Sequence, residues 1–191
     1  MAGNKTADLA DKVCVALRAA FSDLLAENGG QQFYAFGLWT DDSLQFLHPV
    51  ANSEEALAAT VERYRKEVDP KLGGVSTRYN MRWAYGDWGF FPDVGGKYFD
   101  EINSILQENF NSPMDIFASQ IESLWQSVLD GFVQLESQGF FGTGELRSKI
   151  TLMVVGHVPE ERVDQWVSEL NPPAVAEQWL NWDYNAPDIN L

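Results

Sequence analysis

Residues 78–92, RYNMRWAYGDWGFFP, lie near the middle of the 191-residue chain and contain six aromatic residues and two arginines. Two helical patterns and a predicted hairpin precede this segment, and two long helical patterns follow it. Residues 78–85 alternate loosely with a period of two, which predicts a strand. On such a strand Arg78 and Arg82 would share one face and the aromatic rings the other. We therefore expect a central strand and a covering loop that fasten the helices to the sheet.

The first third of the chain predicts a helix, a hairpin and a second helix. Apolar residues recur at helical spacing over residues 9–24. Residues 33–39 and 44–50 are short, rich in aromatic and apolar side chains, and separated by a polar turn, which predicts two paired strands. Residues 52–55, NSEE, have the composition of a capping box, so a helix is predicted to begin there.

The second half predicts three helices and one strand. The predicted elements are helices over residues 97–110, 114–135 and 160–170, and a strand over residues 150–155. The longest helical pattern places Met114 and Phe117 on the same apolar stripe as the residues that follow them. The strand is a near-continuous apolar run, which is typical of a strand covered on both faces.

Together these patterns predict an α+β fold, with a mainly antiparallel sheet of about four strands packed against several helices. The length and the 45% apolar content are enough for a sizeable core and fit a single domain. We therefore predict one domain over residues 1–191, in which residues 173–191 form a Trp-rich C-terminal tail docked on the body.

The charge balance restricts the class of partner. The chain has 13 basic and 28 acidic residues, a formal net charge of −15, and no Lys or Arg lies between Lys97 and Arg147. Because affinity for phosphate comes mainly from Lys and Arg, nucleic acids and anionic membranes are disfavoured as partners. The acidic residues either confer solubility or form a docking face for a basic partner, and the sequence leaves both open.

The cysteine and histidine content argues against redox and metal chemistry. Cys14 is the single cysteine, so an internal disulfide is impossible and a reducing, cytoplasmic setting is expected. The residues after Met1 lack an apolar signal core, and no run reaches membrane-spanning length. His48 and His157 have no further ligand pattern beside them. We therefore expect a cytoplasmic protein without a metal or another cofactor.

A glycine cluster after the longest helix resembles a phosphate loop only superficially. Gly139, Gly142 and Gly144 are followed by Lys149. They follow a helix and precede a strand, however, which is the reverse of the strand–loop–helix order that binds phosphate. A helix C-cap and turn is the preferred interpretation.

The most site-like side chains lie in residues 78–92. They are Arg78, Arg82, Trp83, Asp87 and Trp88. We predict that the aromatic rings face the core and that the arginines face outward or pair with helix carboxylates. The alternative is that these residues line a ligand-binding cleft, with Asp87, Trp88 and residues 90–91 at its lip.

Several phrases, in sequence order, carry a resemblance to a known family. They are FYAFGLWTDD at 33–42, NSEEAL at 52–57, RW at 82–83 with DW at 87–88, and GFFG at 139–142 with Arg147. In order and spacing, residues 9–172 resemble a bacterial family catalogued as domain of unknown function 4303. This resemblance implies a single intracellular α+β domain, with no settled activity and no catalytic residues to transfer.

We expect a non-enzymatic protein-binding function. Small acidic bacterial domains of this kind resemble immunity proteins that neutralise toxins, and a basic toxin would be steered towards an acidic partner. The predicted partner-binding residues are Asp115, Glu122, Asp130, Glu136, Trp179 and Trp182. The alternative is a small-molecule-binding protein or an enzyme, whose cleft would be formed by Arg82, Trp83, Asp87 and Trp88.

Overall fold

Helices and strands follow one another in the order α-β-β-α-α-α-α-β-α-α in the computed structural model, which describes residues 2–91 and 94–182. The helices are α1 (Ala2–Glu27), α2 (Glu54–Glu67), α3 (Val75–Arg82), α4 (Asp100–Phe110), α5 (Met114–Ser137), α6 (Glu160–Leu170) and α7 (Pro173–Leu180). The strands are β1 (Phe33–Asp41), β2 (His48–Ser53) and β3 (Thr151–His157). Short 3-10 turns lie at Tyr85–Asp87, Gly96–Phe99 and Arg147–Lys149.

The sheet is mixed, and β1 is its central strand. β2 pairs with one edge of β1 in antiparallel orientation, and β3 pairs with the other edge in parallel orientation. The α+β class is confirmed. The sheet differs from the predicted one, because the described residues form three strands and one of the two pairings is parallel. Parallel neighbours need a long crossover, which α2 to α5 supply here.

Residues 78–85 were predicted as a strand, and this prediction was wrong. They form the end of α3 and a 3-10 turn. Residues four apart share a face on a helix as well as on a strand, so the spacing of Arg78 and Arg82 fits both structures. Both arginines contact Glu54 from that shared helical face. Further on, a bridge between Phe90 and Ala51 joins this segment to the sheet.

The second strand begins four residues later than predicted. The side chain of Asp41 accepts a hydrogen bond from the backbone N–H of Gln45 (2.9 Å), and Leu44 adopts a left-handed conformation with φ of 50°. These features turn the chain before β2 begins. Leu44 and Leu47 are both buried. The apolar residues that suggested a strand therefore enter the core from a loop.

Helices cover both faces of the sheet and create two cores. The first core joins α1, α4 and α5 to the sheet residues Phe36, Leu38, Leu152 and Val154. The second core joins α2, α6 and α7 to Tyr34, Val50, Met153 and Val155. Residues 151–155 of β3 are all buried, which confirms the prediction of a strand covered on both sides. Ala176 and Trp179 of α7 lie in the second core, and residues 183–191 of the predicted tail lie outside the described residues.

Helices α1 and α5 pack closely at Gly131. A Cβ atom at this position would lie 2.5 Å from Val13 Cγ1 and 2.8 Å from Val13 Cβ. These separations are far below van der Waals contact, so the helix pair depends on the missing side chain.

Gly131→Ala should lower the free energy of unfolding by about 1–3 kcal/mol, because the added methyl group presses on Val13. The same substitution should cost less in a Val13→Ala background, because the 2.5 Å contact with Cγ1 is then removed while the 2.8 Å contact with the Cβ of residue 13 remains. Gly86→Ala is the control, since no atom lies within 4 Å of a Cβ there. Urea denaturation measures all four variants, and an equal cost of Gly131→Ala in both backgrounds would contradict the close-packing explanation.

Candidate functional site

Two of the predicted ligand-binding residues meet on one carboxylate. Ser53 caps α2 by accepting a hydrogen bond from the backbone N–H of Ala56 (3.0 Å), so Glu54 becomes the first residue of the helix. Arg78 Nη2 lies 2.5 Å from Glu54 Oε2, and Arg82 Nη1 lies 2.8 Å from Glu54 Oε1. Burial acts to raise the pKa of Glu54, but the hydrogen bonds and charges of Arg82 and Arg78 outweigh it and hold this pKa below its usual value.

Both the side chain and the backbone of Arg82 make fixed contacts. The guanidinium carbon of Arg82 lies 3.8 Å from the centre of the Tyr34 ring. Its carbonyl oxygen accepts hydrogen bonds from Tyr34 Oη (2.8 Å) and Trp88 Nε1 (3.0 Å). Burial raises the pKa of Tyr34, so the phenol stays protonated as a donor. These contacts satisfy a carbonyl at the end of α3 that has no partner within the helix.

Trp83 and Trp88 are core residues. Both are buried, and Trp83 packs edge-to-face on Tyr34 and on Trp179, with ring centroids 5.7 and 6.0 Å apart. Edge-to-face pairs of this kind stabilise a core beyond the area that they bury. Both tryptophans therefore support the packing interpretation of residues 78–92.

Asp87 points to a different neighbour. Its carboxylate accepts hydrogen bonds from Tyr64 Oη (2.9 and 3.0 Å) and lies 3.4 Å from Arg63 Nη2, both on α2. Arg82 instead lines a cleft of about 700 Å³ beside the turn that follows α5, and neither Asp87 nor either tryptophan lines it. The five predicted residues therefore do not converge on one open space.

The predicted partner-binding acids lie mainly on the surface of α5. Asp115, Glu122 and Asp130 are exposed. Glu122 pairs with Arg162 (2.9 Å), and Asp130 accepts a hydrogen bond from Gln126 (3.0 Å). Half of the predicted set therefore remains accessible to a partner.

The two predicted tryptophan anchors lie inside or against the second core. Trp179 is buried and donates a hydrogen bond from Nε1 to Asp164 Oδ1 (2.7 Å). Trp182 is partly buried and packs on the Trp179 ring at 5.6 Å. The ring of Trp179 is therefore not offered to a partner in this conformation.

Glu136, the remaining predicted partner-binding residue, has a structural contact. It is half-buried and pairs with Arg147, whose side chain is 7% exposed, at 2.5 Å. Arg147 also donates from Nη2 to the carbonyl oxygen of Leu170 (2.8 Å) and to Asn171 Oδ1 (3.2 Å). The pair therefore joins the end of α5 to the end of α6.

The exposed corner between α4 and α5 was missed by sequence reasoning. None of residues 114–123 is buried, and Ile121 is the first of them that packs against the core, so roughly 10 Å of α5 extends beyond it. We call this corner the α4–α5 tip, which comprises Phe110, Met114, Ile116 and Phe117 with the acidic residues Glu108 and Asp115.

Met114 is 77% exposed, which contradicts its predicted place on the inward stripe, and Phe117 packs on Phe110 rather than in the core (ring centroids 6.0 Å). The sequence did contain one signal for this tip, because the apolar pattern continues across the break between the two helices at residues 112–113.

Residues 2–91 and 94–182 contain neither a cluster of metal ligands nor a membrane-spanning helix. No group of three or more His, Cys, Asp or Glu side chains in these ranges is arranged to hold a metal ion. The sheet register does bring His48 of β2 and His157 of β3 close to the Trp39 ring, at 6.0 and 6.1 Å between centroids. In the same ranges, none of the helices has the length and apolar character needed to cross a bilayer.

Glu54→Gln should change how stability depends on pH. Because the folded-state pKa of Glu54 is lowered, its ionised carboxylate stabilises the fold above the unfolded-state pKa of about 4.3. That contribution is lost as the pH falls through the lowered folded-state pKa. The variant should therefore be less stable than the parent near pH 7, and the difference should shrink as the pH is lowered below the unfolded-state pKa. Glu161→Gln, at an exposed position of α6, is the control; a pH-independent difference for Glu54→Gln would refute the argument.

Arg147→Met should lower the free energy of unfolding by about 3–5 kcal/mol, because it leaves Glu136 and the carbonyl of Leu170 without their cationic partner. Arg147→Lys should recover little of this loss, since one ammonium group cannot reproduce the planar fork of donors. Lys149→Met, which breaks an exposed ion pair on the same turn, is the control. Chemical denaturation distinguishes them, and similar midpoints for Arg147→Met and Lys149→Met would exclude a structural role for Arg147.

Comparison with known proteins identifies a family but no function. No curated protein matches the chain, and no solved structure matches it. The model of a domain of unknown function, DUF4303, matches residues 14–172. The match begins within α1 and ends immediately before α7. Because it covers most of the chain, this protein belongs to the DUF4303 family.

Proposed function

We propose that the protein is a non-enzymatic binding protein that docks a basic protein partner through the α4–α5 tip. The observation that carries this proposal is the exposure of Met114 and its apolar neighbours beside unpaired carboxylates. Met114, Phe110 and Ile116 are 77%, 39% and 42% exposed.

The apolar part of the tip has the composition of a binding hot spot. Aromatic residues and methionine are enriched at protein interfaces, and methionine adapts its shape to a partner. Phe110 and Phe117 already pack edge-to-face, which presents a preformed apolar surface. Grouped apolar side chains with a polar rim are typical of protein interaction sites.

The charge around the tip favours a basic partner. Among the described residues, Glu108 and Asp115 have no Lys, Arg or His within ion-pair distance, whereas Glu101 and Glu122 are paired with Lys12 and Arg162. Unpaired carboxylates attract a basic surface and increase its rate of association. A second copy of the chain would bring a formal charge of −15 against the same charge, so self-association is disfavoured.

A toxin-neutralising, immunity-type protein is the most concrete form of this function. Toxins that act on nucleic acid need a basic surface, and an acidic protein that covers such a surface would block them. The family match carries no activity, so this assignment rests on the charge and shape of the tip. The experiment therefore uses a basic protein encoded next to this gene as the probe.

Met114→Asp should weaken binding of that basic protein by at least about tenfold, mainly through faster dissociation, because it removes an apolar anchor. Val15→Asp, at a 68% exposed apolar position of α1, is the matched control and should leave affinity unchanged. Biolayer interferometry measures both rates.

Asp115→Lys should act differently, by slowing association and reducing the salt dependence of binding. Glu161→Lys is its control, because it makes the same charge change in the first turn of α6. Equal effects of the two charge reversals would exclude the tip as the docking surface. A concentration-dependent dimer that Met114→Asp dissociates would replace the basic partner with a second copy.

A further inference from the structure

We infer that the cleft beside Arg82 is a second, independent site, which binds a small organic monoanion with a flat apolar body. The chemical class in mind is an aromatic carboxylate. The cleft has a volume of about 700 Å³, within the usual range of about 300–1,000 Å³ for small-molecule sites. It lies between the start of β1 and the turn that follows α5, away from the α4–α5 tip.

Apolar side chains form much of the wall. They are Phe33, Phe140, Phe141, Leu146 and Ile150. Leu146 is 67% exposed, so its side chain is available to a ligand, whereas Phe141 is buried and packs on Phe36. Flat aromatic and branched surfaces of this kind complement a planar ring system.

The turn beside the cleft is preorganised. Gly139 adopts φ of 73°, and the N–H groups of Gly139 and Phe140 bond to the carbonyl oxygens of Glu136 and Leu135, which is a Schellman motif at the end of α5. Arg147, which is buried, pairs with Glu136 at the start of this turn and so holds it in place. This part of the wall is therefore ordered before a ligand binds. Such preorganisation lowers the entropic cost of binding.

The charged groups in the wall fit one negative charge. Two cations, Arg82 and Lys149, and one carboxylate, Glu54, line the cleft. Together they leave a single positive charge, which is unusual in a chain of formal net charge −15. A second negative charge on the ligand would find no further cation in the wall, since Glu54 already balances one of the two, and a neutral ligand would gain less from the cations than an anion would.

Arg82 is the group that we assign to the ligand's carboxylate. Its Nη1 donates to Glu54, and its guanidinium is stacked over Tyr34, so the plane of the fork is fixed. A guanidinium has five N–H donors, which leaves others for a second carboxylate. Lys149 pairs with Glu145 in an exposed contact, which is weak enough to be exchanged for a bound anion.

Hydrogen-bonding groups at the rim would complete the site. Gln32 and Gln178 line the cleft, and their side-chain amides make no hydrogen bond with the described residues. They are able to donate to a carboxylate oxygen or to bind a polar substituent on the ring.

Three matched probes test this inference by isothermal titration of the intact protein: 2-naphthoate, its neutral analogue 2-naphthamide, and the dianion 2-naphthyl phosphate. We expect 2-naphthoate to bind about tenfold more tightly than either of the others. Equal affinities for the acid and the amide would overturn the role of the cations. Tightest binding of the phosphate would overturn the monoanion assignment, and no binding of any probe would overturn the site.

Variants distinguish the contributions of charge and shape. Lys149→Gln should weaken 2-naphthoate binding by at least about threefold and leave 2-naphthamide unaffected, whereas Lys66→Gln should change neither. Lys66 is a matched control, because it is similarly exposed and also pairs with a glutamate four residues earlier. Leu146→Asn should weaken both probes alike. Equal effects of Lys149→Gln and Lys66→Gln would exclude the cleft. Met114→Asp should leave 2-naphthoate binding intact, which separates this site from the docking surface.

Discussion

The buried guanidinium of Arg147 is the interaction on which the arrangement of the other elements depends. Its donors contact Glu136 at the end of α5, the carbonyl oxygens of Ile150 and Leu170, and the side chain of Asn171. Asn171 in turn bonds both the N–H and the carbonyl of Leu152, as a neighbouring strand would. A buried cation is stable only when its donors are satisfied, so α5, β3 and α6 are held at one mutual position. The position of the turn after α5, and hence of the cleft, follows from that constraint.

Much of the fold could be predicted from periodicity, and the errors have identifiable causes. The long helices and the apolar run of β3 were predictable because burial imposes a clear period on them. Residues 78–85 were not, because arginines four apart satisfy both a helix and a strand, and the deciding contact with Glu54 is distant in sequence. The parallel pairing of β1 with β3 depends on a crossover of four helices, for which no local pattern exists.

The candidate sites were less predictable than the fold. Acidity was correctly associated with the surface of α5, but sequence alone could not distinguish Asp115, which is exposed and unpaired, from Glu136, which a buried arginine holds. Met114 and Phe117 continue the apolar stripe of α5 in sequence. The core nevertheless ends before them, because the neighbouring helices do not extend far enough to cover them. Of the residues that line the cleft, only Arg82 was predicted, because Arg82, Phe140 and Lys149 come from three separate segments. The two surfaces also differ in sign, since the tip is acidic and the cleft is cationic.

Helix α7 lies beyond the end of the family match but contributes to the packed core. The family match ends at residue 172, yet Trp179 of α7 packs edge-to-face on Trp83 and belongs to the second core. The family match therefore ends before a helix that contributes to the second core. A recombinant protein that ends at residue 172 would lack Trp179 and would therefore expose Trp83 to water. Aggregation of such a protein would result from the position of the truncation and not from a property of the family.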